Sequence, residues 1–180
     1  MEAGKGEPSS NWKRKMLLAE HSPIRKLIIN WKWENLKSWI SVHYVRHKFG
    51  IEHWVRSQRP DRTGERYNRD EAPQGTLIEH ECEANAQAII NISRKRLCNQ
   101  AMPETREAWK AFLETIKDKE PELYSCCVPE CIYRNGFCSE YKTCKWNHTK
   151  EFENQLKKYI EGIENQINKN TNIIFNENIK

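Results

Sequence analysis

The chain has 180 residues, with 30 Lys and Arg against 25 Asp and Glu for a formal net charge of +5, a pI near 8.8 and a mean hydropathy of −0.93. That length predicts one domain with a small appendix rather than two full domains. No apolar run approaches the roughly 20 residues of a membrane span. Hydrophobic residues make up 37% of the chain, so a lone subunit buries little apolar surface and oligomerisation is the expected remedy. The basic bias suits nucleotides, folates or nucleic acid without choosing among them. Residues 1–10 carry no apolar signal-peptide core, so a cytoplasmic location is expected, with the seven Cys as thiols or metal ligands rather than disulfides.

In chain order, residues 1–11, with Gly4, Gly6, Pro8, Ser9 and Ser10, read as a flexible leader. Leu27, Ile29, Trp31 and Trp33 alternate, and Trp39–Val45 is again rich in aromatic and β-branched residues, which together predict a strand pair. Trp31, Trp33 and Trp39 then share one face, and with Trp54 they read as core or subunit interface. Arg46-His47-Lys48 and Ser57-Gln58-Arg59 follow, a concentration of cations, imidazole and hydroxyl that suits a phosphate-bearing ligand better than a core. Asp61–Thr76 reads as a loop. Glu79–Gln100 and Pro103–Lys119 are expected as helices, the second opened by Pro103, with Trp109, Phe112, Leu113 and Ile116 on one face, and closed by Pro121. After a Cys-rich patch at 126–148, a helix from Thr149 to about Lys169 is expected, with Phe152, Leu156, Tyr159, Ile160, Ile163 and Ile167 in one stripe. Asn168–Lys180 has no periodicity and reads as disordered. The domain reading is a leader at 1–11, a main domain at 12–125, the Cys-rich segment at 126–148, and a helix and tail at 149–180.

The ordered motifs resemble those of the flavin-dependent thymidylate synthases. Arg46-His47-Lys48 and Ser57-Gln58-Arg59 are similar to that family's Arg-His-Arg triplet followed by Ser-x-Arg, and His21-Ser22-Pro23-Ile24-Arg25 resembles its upstream His element. Arg69 with Pro73, then Asn85, Asn91 and Arg96, continued by Ala101 and Glu104, follow in the family's order. The resemblance covers residues 16–123 and implies an α+β fold in which a small antiparallel sheet is covered by helices, here with an added Cys-rich element and C-terminal helix. It implies reductive methylation of dUMP to dTMP by a homotetramer that uses FAD, NADPH and methylenetetrahydrofolate. Carried over residue by residue, Arg96 and Ser57 are catalytic, with Arg96 polarising the uracil ring. Ser57, Gln58, Arg59, Arg69 and Arg96 hold the nucleotide; His21, Arg46, His47, Lys48, Asn85 and Asn91 line the flavin and folate side.

The departures are specific. Lys48 stands where the family has Arg, the spacer before Ser57 is one residue longer, and His43 replaces a Gln. The stretch between Arg59 and Arg69 lacks a helical insertion. A shortened relative that binds a pyrimidine nucleotide, or modifies it differently, is therefore the alternative. Without the resemblance, Arg94, Lys95, Arg96 and Arg106 read as a solvated helix face, His43 and His53 as partly buried imidazoles, and Cys82 and Cys98 as buried thiols.

Cys131, Cys138, Cys144 and His148 form a separate constellation, with Cys127 four residues before Cys131 and Gly136 allowing a turn. Short loops let thiolates and an imidazole converge on a tetrahedral ion, so a structural zinc is expected on Cys131, Cys138 and Cys144, with Cys127 or His148 as the fourth ligand. The spacing also resembles Cys3His zinc fingers that bind single-stranded RNA, with Tyr133, Phe137, Tyr141 and Trp146 interleaved. A staple joining the last helix to the core is the preferred reading, and a nucleic-acid partner is not expected.

Overall fold

The computed structural model of the chain describes residue 6, residues 8–64 and residues 68–162, apart from the side chains of residues 60, 63 and 69. Helix α1 (Ser10–Leu18) and a 3-10 turn (Ser22–Lys26) lead into strand β1 (Ile28–Lys37), helix α2 (Ser38–Tyr44) and strand β2 (Ile51–Val55). After α3 (Pro60–Thr63) and a 3-10 turn (Arg69–Glu71) come β3 (Leu77–Asn85), α4 (Ala86–Arg96), α5 (Pro103–Ile116), α6 (Pro121–Cys126) and α7 (Glu130–Tyr133). A last helix, α8, runs through 150–162.

The strands form one antiparallel sheet in the order β1-β3-β2, and the chain is α+β, as the sequence suggests. Period-two geometry sends alternate side chains to one face. Trp31 and Trp33 of β1 thus lie opposite Cys82 and His80 of β3. Helix α5 covers that face: Trp31 stacks on Phe112 at 4.0 Å between ring centroids, and Trp33 on Tyr44 of α2 at 4.6 Å. Trp109 is fully buried, and its Nε1 donates to Ser93 Oγ of α4 at 2.9 Å, so the one polar atom of the largest core side chain is satisfied. The expected apolar face of α5, Trp109, Phe112, Leu113 and Ile116, is buried throughout.

Several sequence expectations give way. Residues 79–85 are not the start of a helix but most of β3. Its inward positions are Ile78, His80, Cys82 and Ala84, its outward ones Glu79, Glu81 and Glu83. Only Ile78 is strongly apolar, so the alternation passes for a charged helical stretch. Conversely, Trp39–Val45 is not a strand; it lies in α2 and its C-cap, so Trp39 leaves the face shared by Trp31 and Trp33. Partnering of β1 falls to β3 instead. Trp54 lies on edge strand β2 and is 52% exposed rather than core. Helix α5 ends at Ile116, and Pro121 opens α6 rather than closing α5.

Inside the expected leader, Ser9 Oγ caps α1 by accepting from Trp12 N at 3.3 Å, so helix begins at Ser10; residues 1–5 and 7 lie outside the described residues. Of the stripe expected on the last helix, Phe152 is buried and Leu156, Tyr159 and Ile160 are half-buried. Ile163, Ile167 and the 168–180 tail lie outside the described residues. Among the described residues, no helix is long and apolar enough to cross a membrane.

Candidate anion-binding site

Helix α2 delivers the Arg46-His47-Lys48 loop, and α4 anchors both ends of it. At the near end, Gly50 takes a φ of +72°, a region open to glycine and strained for other residues. Its carbonyl accepts from Asn85 N at 2.9 Å. The Asn85 side chain packs against it so closely that a Cβ at Gly50 would lie 2.5 Å from Asn85 Nδ2. Asn85 Oδ1 in turn accepts from Ala88 N at 2.9 Å and caps α4. At the far end of α4, Arg96 Nε donates to His47 Nε2 at 2.9 Å, and its Nη2 donates to the His43 carbonyl at 2.5 Å.

That geometry fixes the protonation of His47. Its Nε2 accepts from a cation, so the neutral ring carries its proton on Nδ1. Burial and then the Arg96 charge push the imidazole down to about 4. Burial, with Arg96 and Arg46 nearby, also lowers His43, whose Nδ1 lies 2.8 Å from Thr105 Oγ1. Burial lowers Arg96 as well, with Arg46 adding to the effect, but a guanidinium remains cationic. Among the described residues, no carboxylate reaches Arg46, Lys48 or Arg96 within ion-pair distance. Arg46 and Lys48 are exposed to solvent, and Arg96 is half-buried.

Behind this loop, His53 Nε2 donates to the His47 carbonyl at 2.9 Å, while its Nδ1 faces His80 Nε2 at 3.0 Å and Cys82 Sγ at 3.3 Å. The ligand atoms of these three residues lie within 4.8 Å of one another, a spacing that could hold a metal. His80 Nδ1, however, is buried without a hydrogen-bond partner, whereas a ligating imidazole almost always donates its second N–H. The trio therefore reads better as a hydrogen-bonded core network. Burial pushes His80 down to about 4 and the Cys82 thiol up to about 12.

The other expected site residues are scattered. Ser57 and Gln58 line an open groove of about 440 Å³ together with Arg56, Glu34 and Glu79. They follow β2, whereas Arg46–Lys48 precede it, and a five-residue strand separates the two motifs by roughly 16 Å. Arg59 donates to Asp61 through Nε at 3.0 Å and Nη2 at 2.9 Å. The side chain of Arg69 lies outside what is described. His21 is exposed at the start of the Ser22–Lys26 turn. Its neighbour Glu20 pairs with Arg94 and accepts from Gln87 Nε2 at 2.6 Å. Asn91 is exposed on α4 and accepts from Arg94 Nη1 at 3.1 Å.

The expected zinc ligands also divide. Cys131, Cys138 and Cys144 line a cavity of about 10 Å³, and the fourth thiol there is Cys98. Cys127 does not line it: the side chain is buried in the core and hydrogen-bonded to Ser93. His148 does not line it either, and is exposed in the Trp146–His148 turn. Cys98 escaped the sequence reading because 32 residues separate it from Cys131, beyond any local ligand pattern. No protein-family model and no curated protein matches the chain.

Proposed function

We propose that Arg46, Lys48 and Arg96 are the anion-binding half of a pyrimidine-nucleotide site, in a protein that works like the flavin-dependent thymidylate synthases it resembles. The observation that carries this reading is the half-buried Arg96 near Arg46, with no carboxylate among the described residues within ion-pair distance of either. Arg96 has hydrogen-bond partners in His47 and the His43 carbonyl but no counter-charge, and a phosphate-bearing ligand would supply one. Those cations fit the phosphates of dUMP and FAD equally. Reduced flavin, when bound, supplies the hydride, with methylenetetrahydrofolate and NADPH as co-substrates. Arg96, held at Nε and Nη2, is oriented to stabilise negative charge on a uracil ring.

Ser57 and Gln58 lie beyond the opposite end of β2 from Arg46 and Lys48, and so stand apart from this cation cluster within one chain. A homotetramer, which the resemblance implies, allows another copy to bring them in, and Arg59 exchanges Asp61 for phosphate. The shortened-relative reading differs only in the chemistry that follows binding. The RNA-binding zinc-finger reading requires His148 at the metal, and the cavity geometry favours Cys98 there.

Purified protein is expected to carry a flavin absorbance spectrum, bind dUMP, and release the uracil C5 proton when given reduced flavin and folate. Flavin and dUMP binding without proton release would favour the shortened relative. Colourless protein that binds neither would overturn both.

A further inference from the structure

Four of the seven cysteines are drawn to one place by elements distant in sequence. Cys98 follows α4, Cys131 lies in α7, and Cys138 and Cys144 sit in the loop beyond. Their side chains line a single cavity of about 10 Å³, the space of about one water molecule. We propose that Cys98, Cys131, Cys138 and Cys144 bind one structural zinc ion there, as four thiolates in a tetrahedron. This inference is independent of the nucleotide reading.

The local backbone is arranged as such a site needs. Gln100 N–H donates to Cys98 Sγ at 3.5 Å, and the main-chain N–H of Ile132 reaches the Cys131 sulfur. Burial raises both thiols, Cys131 to about 11, and these hydrogen bonds act in the opposite direction. Asn135 and Gly136 both take positive φ, at 51° and 96°, and Gly136 N–H closes the turn on the Cys131 carbonyl at 2.7 Å. The turn sends the chain back so that Cys138 faces Cys131. Asn147, another lining residue, braces the turn by donating from Nδ2 to the Gly136 carbonyl at 3.0 Å, while its Oδ1 is buried without a partner. Gln100 Nε2 donates to the Lys142 carbonyl at 2.8 Å, tying the α4–α5 connection to the Cys138–Cys144 loop.

The segment has little else to hold it. Between α7 and α8 the regular structure is one three-residue turn, and every side chain from 133 to 149 is half-buried or exposed. A loop with so small a core is stabilised by a metal where burial cannot do it. Zinc suits an all-sulfur tetrahedral donor set. Among the described residues, only His53, His80 and Cys82 have three ligand atoms within 4.8 Å of one another, so binding at the four cysteines requires their sulfurs to draw closer together.

Elemental analysis and zinc-edge X-ray absorption on the wild-type protein test this without any variant. The expected result is one zinc per chain with a shell of four sulfurs at about 2.3 Å. Absence of zinc, iron in its place, or nitrogen in the shell, as the His53-His80-Cys82 trio would give, overturns the proposal. In chelator competition, Cys98→Ser is expected to weaken zinc binding by at least about 10-fold, whereas Cys127→Ser and Cys82→Ser keep one zinc at wild-type affinity. Wild-type affinity in Cys98→Ser would equally overturn it.

Discussion

Arg96 combines three properties in one side chain: it is half-buried, it is held through Nε and Nη2, and it has no acidic partner among the described residues. A fixed donor of that kind acts most on charge that develops during reaction, so Arg96→Ala is expected to lower turnover by about 100-fold or more and, through the lost phosphate contact, nucleotide affinity by about 10-fold. Equal losses in kcat and in dUMP affinity would refute the activating role. His47 accepts from this guanidinium only while neutral. In the unfolded chain His47 and His80 gain a proton below the ordinary value of 6.5, while in the folded chain burial keeps both neutral down to about 4. Across that window the unfolded state binds more protons, so stability falls as pH drops from 6.5 to 4. Urea midpoints should decrease through that range, and a flat profile would contradict the assigned protonation. At this scale the sequence marked Arg96 and His47 through the order of motifs, but their contact spans 49 residues and no spacing rule predicts it. The work of Asn85 in capping α4 was not legible, because the helix start was expected at Glu79 rather than Ala86.

The elements that build the site are short and hold one another in place. The loop carrying Arg46–Lys48 closes at Gly50, where positive φ and contact with Asn85 coincide. Gly50→Ala imposes both backbone strain and displacement of the α4 cap, and is expected to cost about 2–3 kcal/mol in chemical denaturation. Gly64 has a similar φ of +74° but open space around it, so Gly64→Ala should cost about 1 kcal/mol; equal losses at the two positions would show that the Asn85 contact is irrelevant. Helix α5 was legible because Pro103 and four large apolar side chains at helical spacing agree. Strand β3 was not, because His80, Cys82 and Ala84 bury without looking hydrophobic. Helix α2 misled in the opposite sense: Trp39, Ile40, Val42, Tyr44 and Val45 have the composition of a strand, yet packing of Ile40 and Tyr44 against the core makes them helical.

For the whole molecule, the mixed α+β class and the small antiparallel sheet could be read from the sequence, but strand order could not, since β3 was taken for helix and its place between β1 and β2 depends on contacts remote in sequence. The two halves of the expected nucleotide motif lie at opposite ends of β2, so the proposed enzyme is complete only as an assembly. Light scattering should give a mass of several times the 21.5 kDa of one chain, and a monomer at working concentrations would contradict the shared site. The cation cluster itself makes the narrower and more direct claim, that the protein recognises phosphate on a pyrimidine nucleotide. Calorimetric titration with dUMP and with deoxyuridine at increasing salt tests it most directly. The account predicts that dUMP binds about 10-fold or more tighter than deoxyuridine, with an advantage that shrinks as salt rises; equal affinity for the two, or no binding of dUMP, would contradict it.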